Sequence, residues 1–271
     1  MMPATLPRFW WSLLLGTLAL ALTGCGAVAK RNDTKLTQGN WSVTATSSNP
    51  AIGTFHVGGN LTQSGNSLSG TMYVAGSLCF DVSQPISLTG TINRQKVTLA
   101  STDINGQVFS VAAIATTDSA LKGTYTITGG CGNGDSGIAA ANVVPSISGT
   151  WGGSLIGSGG SSVALNIELA QNALSSADGT FALTGNLVYA GSGCSVTGTI
   201  TSAFVAGSYI LLNAKKNQNK VGPDSSVGNV SYTNVLLDDS QNPQTMTGTY
   251  HAGFGLCTDG IQVLTLSKVV K

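Results

Sequence analysis

Charge is what this chain lacks most. Of its 271 residues only 8% are Asp, Glu, Lys or Arg, and the formal net charge is +1. Cations this scarce build no basic face broad enough to track a nucleic-acid backbone, so nucleic acid is excluded as a partner. Histidine occurs twice, at His56 and His251, and Glu168 is the single glutamate. General acid–base chemistry draws chiefly on His, Glu and Asp, so the catalytic inventory is thin. No Cys-x-x-Cys pair or histidine cluster has zinc-ligand spacing. No phosphate-cradling glycine loop or zinc-protease motif occurs either. Asp238-Asp239 has calcium-ligand chemistry, but a lone acidic pair in a turn more commonly supports a hairpin. No enzymatic role, no cofactor and no metal are expected. Helical periodicity with caps is also missing after Leu22.

What is present in quantity is glycine, with 36 residues, roughly twice the average share of about 7%. Serine, threonine and asparagine accompany it. Such a composition suits disorder, but regular apolar alternation argues against that. Val163, Leu165, Ile167 and Leu169 alternate with Ala164, Asn166, Glu168 and Ala170. Phe181, Leu183, Gly185, Leu187 and Tyr189 form a second such run, and Ile86, Leu88, Gly90 and Ile92 a third. Period two places each set on one face of a strand. Turn clusters such as Ser64-Gly-Asn-Ser67 and Asp238-Asp-Ser-Gln-Asn-Pro243 separate the runs.

The chain also repeats itself. Gly39-Asn40-Trp41 recurs as Gly149-Thr150-Trp151, Leu88-Thr-Gly-Thr-Ile92 as Val196-Thr-Gly-Thr-Ile200, and Gly123-Thr-Tyr125 as Gly248-Thr-Tyr250. Tyr73-Val-Ala-Gly-Ser-Leu-Cys79 recurs as Tyr189-Ala-Gly-Ser-Gly-Cys194, and Cys131 as Cys257. A repeat this long is a domain duplication, with residues 39–147 and 148–271 as its two units. The seam Val143-Val144-Pro145-Ser146 is short enough that the units should touch. Each unit offers eight strands, beginning in the second near Thr150, Val163, Thr180, Val196, Tyr209, Val230, Thr245 and Ile261. The expected fold is all-β, two tandem antiparallel up-and-down eight-stranded barrels, since a closed barrel leaves no exposed edges. The alternative is a pair of β-sandwiches, but immunoglobulin-like sandwiches hold a Trp between their two cysteines, and both repeat tryptophans precede theirs. Trp41 and Trp151 read as core plugs of a barrel end.

Five cysteines leave one unpaired. Four of them pair by the repeat, Cys79 with Cys131 and Cys194 with Cys257, one disulfide within each unit. Export makes the oxidation available.

The fifth, Cys25, closes an uncharged run from Phe9 to Leu22 that follows the lone basic residue Arg8. This run has signal-peptide proportions and is too short to span a bilayer comfortably. Leu22-Thr23-Gly24-Cys25 resembles the lipobox of bacterial lipoproteins. The resemblance implies that residues 1–24 are a signal peptide, that Cys25 is lipidated, and that the anchored protein belongs to the bacterial envelope. Gly26 stands where Asp often retains such proteins in the inner membrane, so the outer membrane is expected. Residues 25–38, rich in charge and poor in large apolar side chains, read as a flexible tether. In a bacterium the Asn-x-Ser/Thr triplets at Asn40, Asn60 and Asn229 carry no glycan signal.

Two further resemblances bear on function. The opening Gly-x-Trp of each unit resembles the first strand of the calycins, the lipocalin and avidin group, which implies a barrel able to hold a small apolar ligand. Gly134-Asp135-Ser136-Gly137 resembles the nucleophile motif of chymotrypsin-like proteases, with His56 and Asp103 in matching chain order. Ile138 and Ala139 replace that family's next residues, and the second unit has Cys257-Thr-Asp-Gly260 here, so the stretch reads as a turn. The expected function is a membrane-anchored, non-catalytic lipoprotein that binds a small apolar ligand in a barrel. The alternative is a structural or surface protein that contacts other envelope components. No ligand-binding residue is assignable.

Overall fold

A computed structural model describes residues 34–270 apart from 78, 81–83, 158–159, 161, 192–193, 217–228 and 253–259. Among the described residues there is no helix. Sixteen strands follow one another in two sets of eight. The first set is β1 (Gly39–Ser47), β2 (Thr54–Ser64), β3 (Ser67–Ala75), β4 (Ile86–Asn93), β5 (Lys96–Ser101), β6 (Val108–Ala115), β7 (Ala120–Thr128) and β8 (Ser136–Val143). The second is β9 (Gly149–Gly157), β10 (Ser162–Gln171), β11 (Phe181–Gly191), β12 (Cys194–Ala206), β13 (Tyr209–Lys216), β14 (Asn229–Asp238), β15 (Thr245–Ala252) and β16 (Gly260–Lys268). Each set pairs in chain order, all antiparallel, and closes on itself. Trp41 pairs with Val143 to close the first barrel, and Trp151 with Lys268 to close the second. The tandem-barrel architecture expected from the alternation and the repeat is the one observed, and the sandwich alternative is not.

Alternation sets the cores. Phe109, Val111, Ala113 and Ala115 of β6 are buried, while the residues between them face outward. In the second barrel Leu165, Ile167, Phe181, Leu183, Leu187 and Ile200 all lie in one buried cluster, as their period-two positions predict. The seam belongs to that cluster too, since Val144 and Ile147 pack within the second core.

Both tryptophans plug a barrel end. Each is fully buried, and each indole donates to a carbonyl four residues earlier: Trp41 Nε1 to Thr37 O at 2.8 Å and Trp151 Nε1 to Ile147 O at 2.9 Å. The last residues of the expected tether are part of this plug. Leu36 is buried, and its N–H donates to Gln63 Oε1 at 2.7 Å. Thr34 and Thr37 are tied through their N–H groups to Arg94 O and Asp118 O. Residues 34–38 therefore belong to the packed body.

Glycine makes the tight curvature possible. At Gly90 a Cβ would lie 1.8 Å from the carbonyl oxygen of Thr98, and at Gly123 it would lie 2.0 Å from that of Ala112. A strand bends hard against its neighbour at these points, and a glycine kink is how a small barrel turns its corners. In the first unit the Thr-Gly-Thr and Gly-Thr-Tyr landmarks thus mark bends in the wall as well as strands.

Candidate functional site

Among the described residues three places concentrate polar or covalent chemistry: the far mouth of the first barrel, a carboxyl inside it, and the joint between the barrels.

The far mouth lies opposite Trp41. The ten-residue stretch 76–85 between β3 and β4 has its counterpart in only two residues, 192–193, between β11 and β12. This insertion carries Cys79 and Phe80. Cys79 is bonded to Cys131 of the β7–β8 loop, with a Cα–Cα separation of 5.5 Å. Gln107 ties the same closure together, donating to Cys79 O at 3.1 Å and accepting from Gly132 N at 2.9 Å. Phe80 turns inward, its ring centroid 6.2 Å from that of Phe55. Phe55 in turn meets Phe109 at 6.0 Å and Tyr125 at 5.3 Å, both edge-on. Four rings therefore occupy the lumen below the disulfide. The first predicted pairing is the one found. For the second, Cys257 lies outside the described residues.

Asp135 is the buried carboxyl. Its Oδ1 accepts from Ser47 Oγ at 2.6 Å and its Oδ2 from Tyr125 OH at 2.8 Å. Burial, followed by the bond to Asp135, pushes the Tyr125 phenol up to about 12. The residue taken for part of a turn is a core acceptor. No triad forms around its neighbour Ser136. Thr44 pairs with His56 on one side and with Ala140 on the other, so Ser136 lies four residues further along β8, about 13 Å at the rise of a strand. Asp103 instead caps its own loop, accepting from Gly106 N at 2.8 Å.

The joint sets turns of the second barrel against the wall formed by β8, β1, β2 and β3. Asn40 is buried there and pairs its carboxamide with one peptide unit: Oδ1 accepts from Gly207 N at 2.6 Å and Nδ2 donates to Gly207 O at 3.2 Å. Ser42 Oγ and Ser208 Oγ, both buried, are 3.0 Å apart. Tyr73 OH donates to Asp178 Oδ2 at 3.2 Å, and its ring lies 5.4 Å from that of Phe204. Asn142 Nδ2 donates to Asp239 Oδ2 at 2.9 Å. Beside these contacts is a cleft of about 400 Å³ that Ser42, His56, Asn142, Ser208 and Asp239 help to line. Burial holds His56 below its ordinary range, so the ring is neutral near pH 7. Its ring nitrogen Nδ1 is 3.4 Å from Thr44 Oγ1. Burial, with the adjacent Asp238 charge, raises the Asp239 carboxyl against the hydrogen bonds it accepts. Among the described residues no carboxylate bonds the His56 ring, and no cluster of metal-ligating side chains forms.

No family model, curated protein or solved structure matches this chain.

Asn40 is the functional-joint residue that sequence reasoning missed. One signal was available. The repeat places Thr150 at the equivalent position, so a carboxamide in only one unit marks a contact that only one unit makes. Cys25 lies outside the described residues.

Proposed function

We propose that this chain is a lipid-anchored bacterial envelope protein without a catalytic role, whose two barrels form one rigid body for contact with other envelope components. The observation that supports this reading most is that the first barrel closes both of its own mouths. Leu36 and Trp41 seal one end, while Phe80 and the Cys79–Cys131 bridge seal the other. A carrier barrel needs an open mouth and a lumen left to its ligand. The thin acid–base inventory, and a His56 ring that bonds no carboxylate among the described residues, support the non-catalytic half. The lipobox resemblance at Cys25 supports the anchor, and Gly26 supports the outer membrane.

The anchor is tested by growing the host with labelled palmitate. Label should enter the wild-type protein and be absent from Cys25→Ser; equal label in both would remove the anchor. The folded body should bind no member of a panel of apolar dyes and lipids. Stoichiometric binding would restore a small apolar ligand as the cargo of a barrel.

A further inference from the structure

The few charges of the first barrel are segregated by end. Its described cations are Lys35, Arg94, Lys96 and Lys122. Lys35 lies in the plug segment, Arg94 in the β4–β5 turn, Lys96 at the start of β5, and Lys122 two residues into β7. All four sit at the Trp41 end, where the chain enters from residue 34. Of the first barrel's own described acids only Asp118 is at this end, with Asp103 and Asp135 at the other; Asp239 of the second barrel approaches it at Asn142, on the joint side away from β5 and β6.

Two of the cations form a pattern. Ile114 pairs with Lys96 on one side and with Lys122 on the other, so the three occupy one row across the outer wall. Lys96 and Lys122 are exposed, and Ile114 is 44% exposed between them. Direct cross-strand neighbours have Cβ atoms about 5 Å apart, which brings two ammonium groups around one apolar side chain. Among the described residues no ion pair neutralises either lysine. An apolar side chain flanked by lysines is the arrangement that lies at a headgroup boundary, the chain reaching the acyl layer and the ammoniums staying with the phosphates.

We infer that the Trp41 end of the first barrel is a membrane-facing surface that docks on anionic phospholipid headgroups through Lys96, Ile114 and Lys122. The inference rests on the anchor at Cys25. Eight residues of chain separate Cys25 from Thr34, a span of about 30 Å at full extension. An acyl chain on Cys25 would therefore keep this end, rather than the far one, within reach of the bilayer. Lys30 and Arg31 add two further cations to that connecting stretch, against Asp33.

The test separates headgroup attraction from the acyl anchor. Both hydrophobic cores lie within residues 34–271, so the chain lacking residues 1–25 retains the folded body and carries no lipid. Its sedimentation is measured with vesicles of phosphatidylcholine alone and of phosphatidylcholine mixed with phosphatidylglycerol. Binding should favour the anionic vesicles and fall with added salt. A cation near an anionic surface contributes about fivefold, so Lys96→Glu with Lys122→Glu should weaken that binding about 25-fold or more. Lys215→Glu, an exposed cation of the second barrel, should leave it within about twofold of wild type. Circular dichroism checks that each variant is folded. Equal binding to the two vesicle types, unchanged binding by the lysine pair, or an equal per-charge loss in Lys215→Glu would each overturn the surface. Loss of palmitate label with the vesicle preference intact would instead remove the anchor alone.

Discussion

A buried carboxyl survives in the first barrel because its two oxygens each receive a hydroxyl. An unpaired polar group in that position would cost its full desolvation penalty, about 1–3 kcal/mol. Tyr125→Phe keeps the ring packing against Phe55 and Phe109 but deletes one of those donors, so it should destabilise the protein by about that amount in urea titration. The phenol also gives stability a pH dependence. Its folded value of about 12 is above the unfolded value of about 10. A raised value means that its contribution is complete below pH 10 and is lost as pH climbs through 12, a fall of about 2–3 kcal/mol. Tyr125→Phe should flatten that alkaline slope, and an unchanged slope would assign the loss to other groups. None of this was legible at the residue scale. Asp135 sits in a glycine-rich stretch with every mark of a turn, and only the fold brings Tyr125 and Ser47 to it. Asn40 left only its mismatch with Thr150 in the repeat as a signal, since its partner Gly207 is 167 residues away.

Strands were the legible elements. A half-buried wall imposes period two on every strand, so Val163 to Leu169 and Phe181 to Leu187 declare their faces without help from neighbours. The observed strands of the second barrel start within two residues of those read from alternation. Curvature was not legible, because a glycine in a strand reads the same whether it bends the wall or leaves a gap in the core. Gly123 decides between these by contact. A Cβ there would meet Ala112 O at 2.0 Å and Ala113 Cα at 2.5 Å, both backbone atoms that cannot rotate away. Gly123→Ala should therefore cost about 3 kcal/mol or more, at the severe end of single substitutions. Thr124→Ala, one residue on and facing outward, should stay within about 1 kcal/mol. Equal, small losses in both, read by urea titration, would mean that the wall relaxes around the added methyl.

The duplication was legible in the whole chain because landmarks keep their order over each unit. What broke the symmetry was not, and the net charge of +1 likewise averages away the segregation of cations to one barrel end. Duplicated barrels that stay side by side must diverge where they touch, each acquiring one half of the joint. The wall of the first barrel has Asn40, Ser42 and Gly58, where register places Thr150, Gly152 and Asn166 in the second. The turn of the second has Gly207 and Ser208, where the first has Arg94 and Gln95. Gly58 carries the closest approach. A Cβ on it would lie 2.4 Å from Gly207 Cα and 2.6 Å from Ala206 O, across the joint. Its neighbours Phe55 and Val57 point into the core, while Gly58 faces out, so a side chain here disturbs the joint and leaves both barrel interiors intact. Gly58→Leu should push the barrels apart and strip the Asn40 carboxamide from Gly207. Small-angle scattering should then show a larger radius of gyration, with the β-sheet circular dichroism of the wild type. A radius unchanged in Gly58→Leu would show that the barrels accommodate one another by sliding, and that the rigid body proposed for envelope contacts is held by something other than this glycine contact.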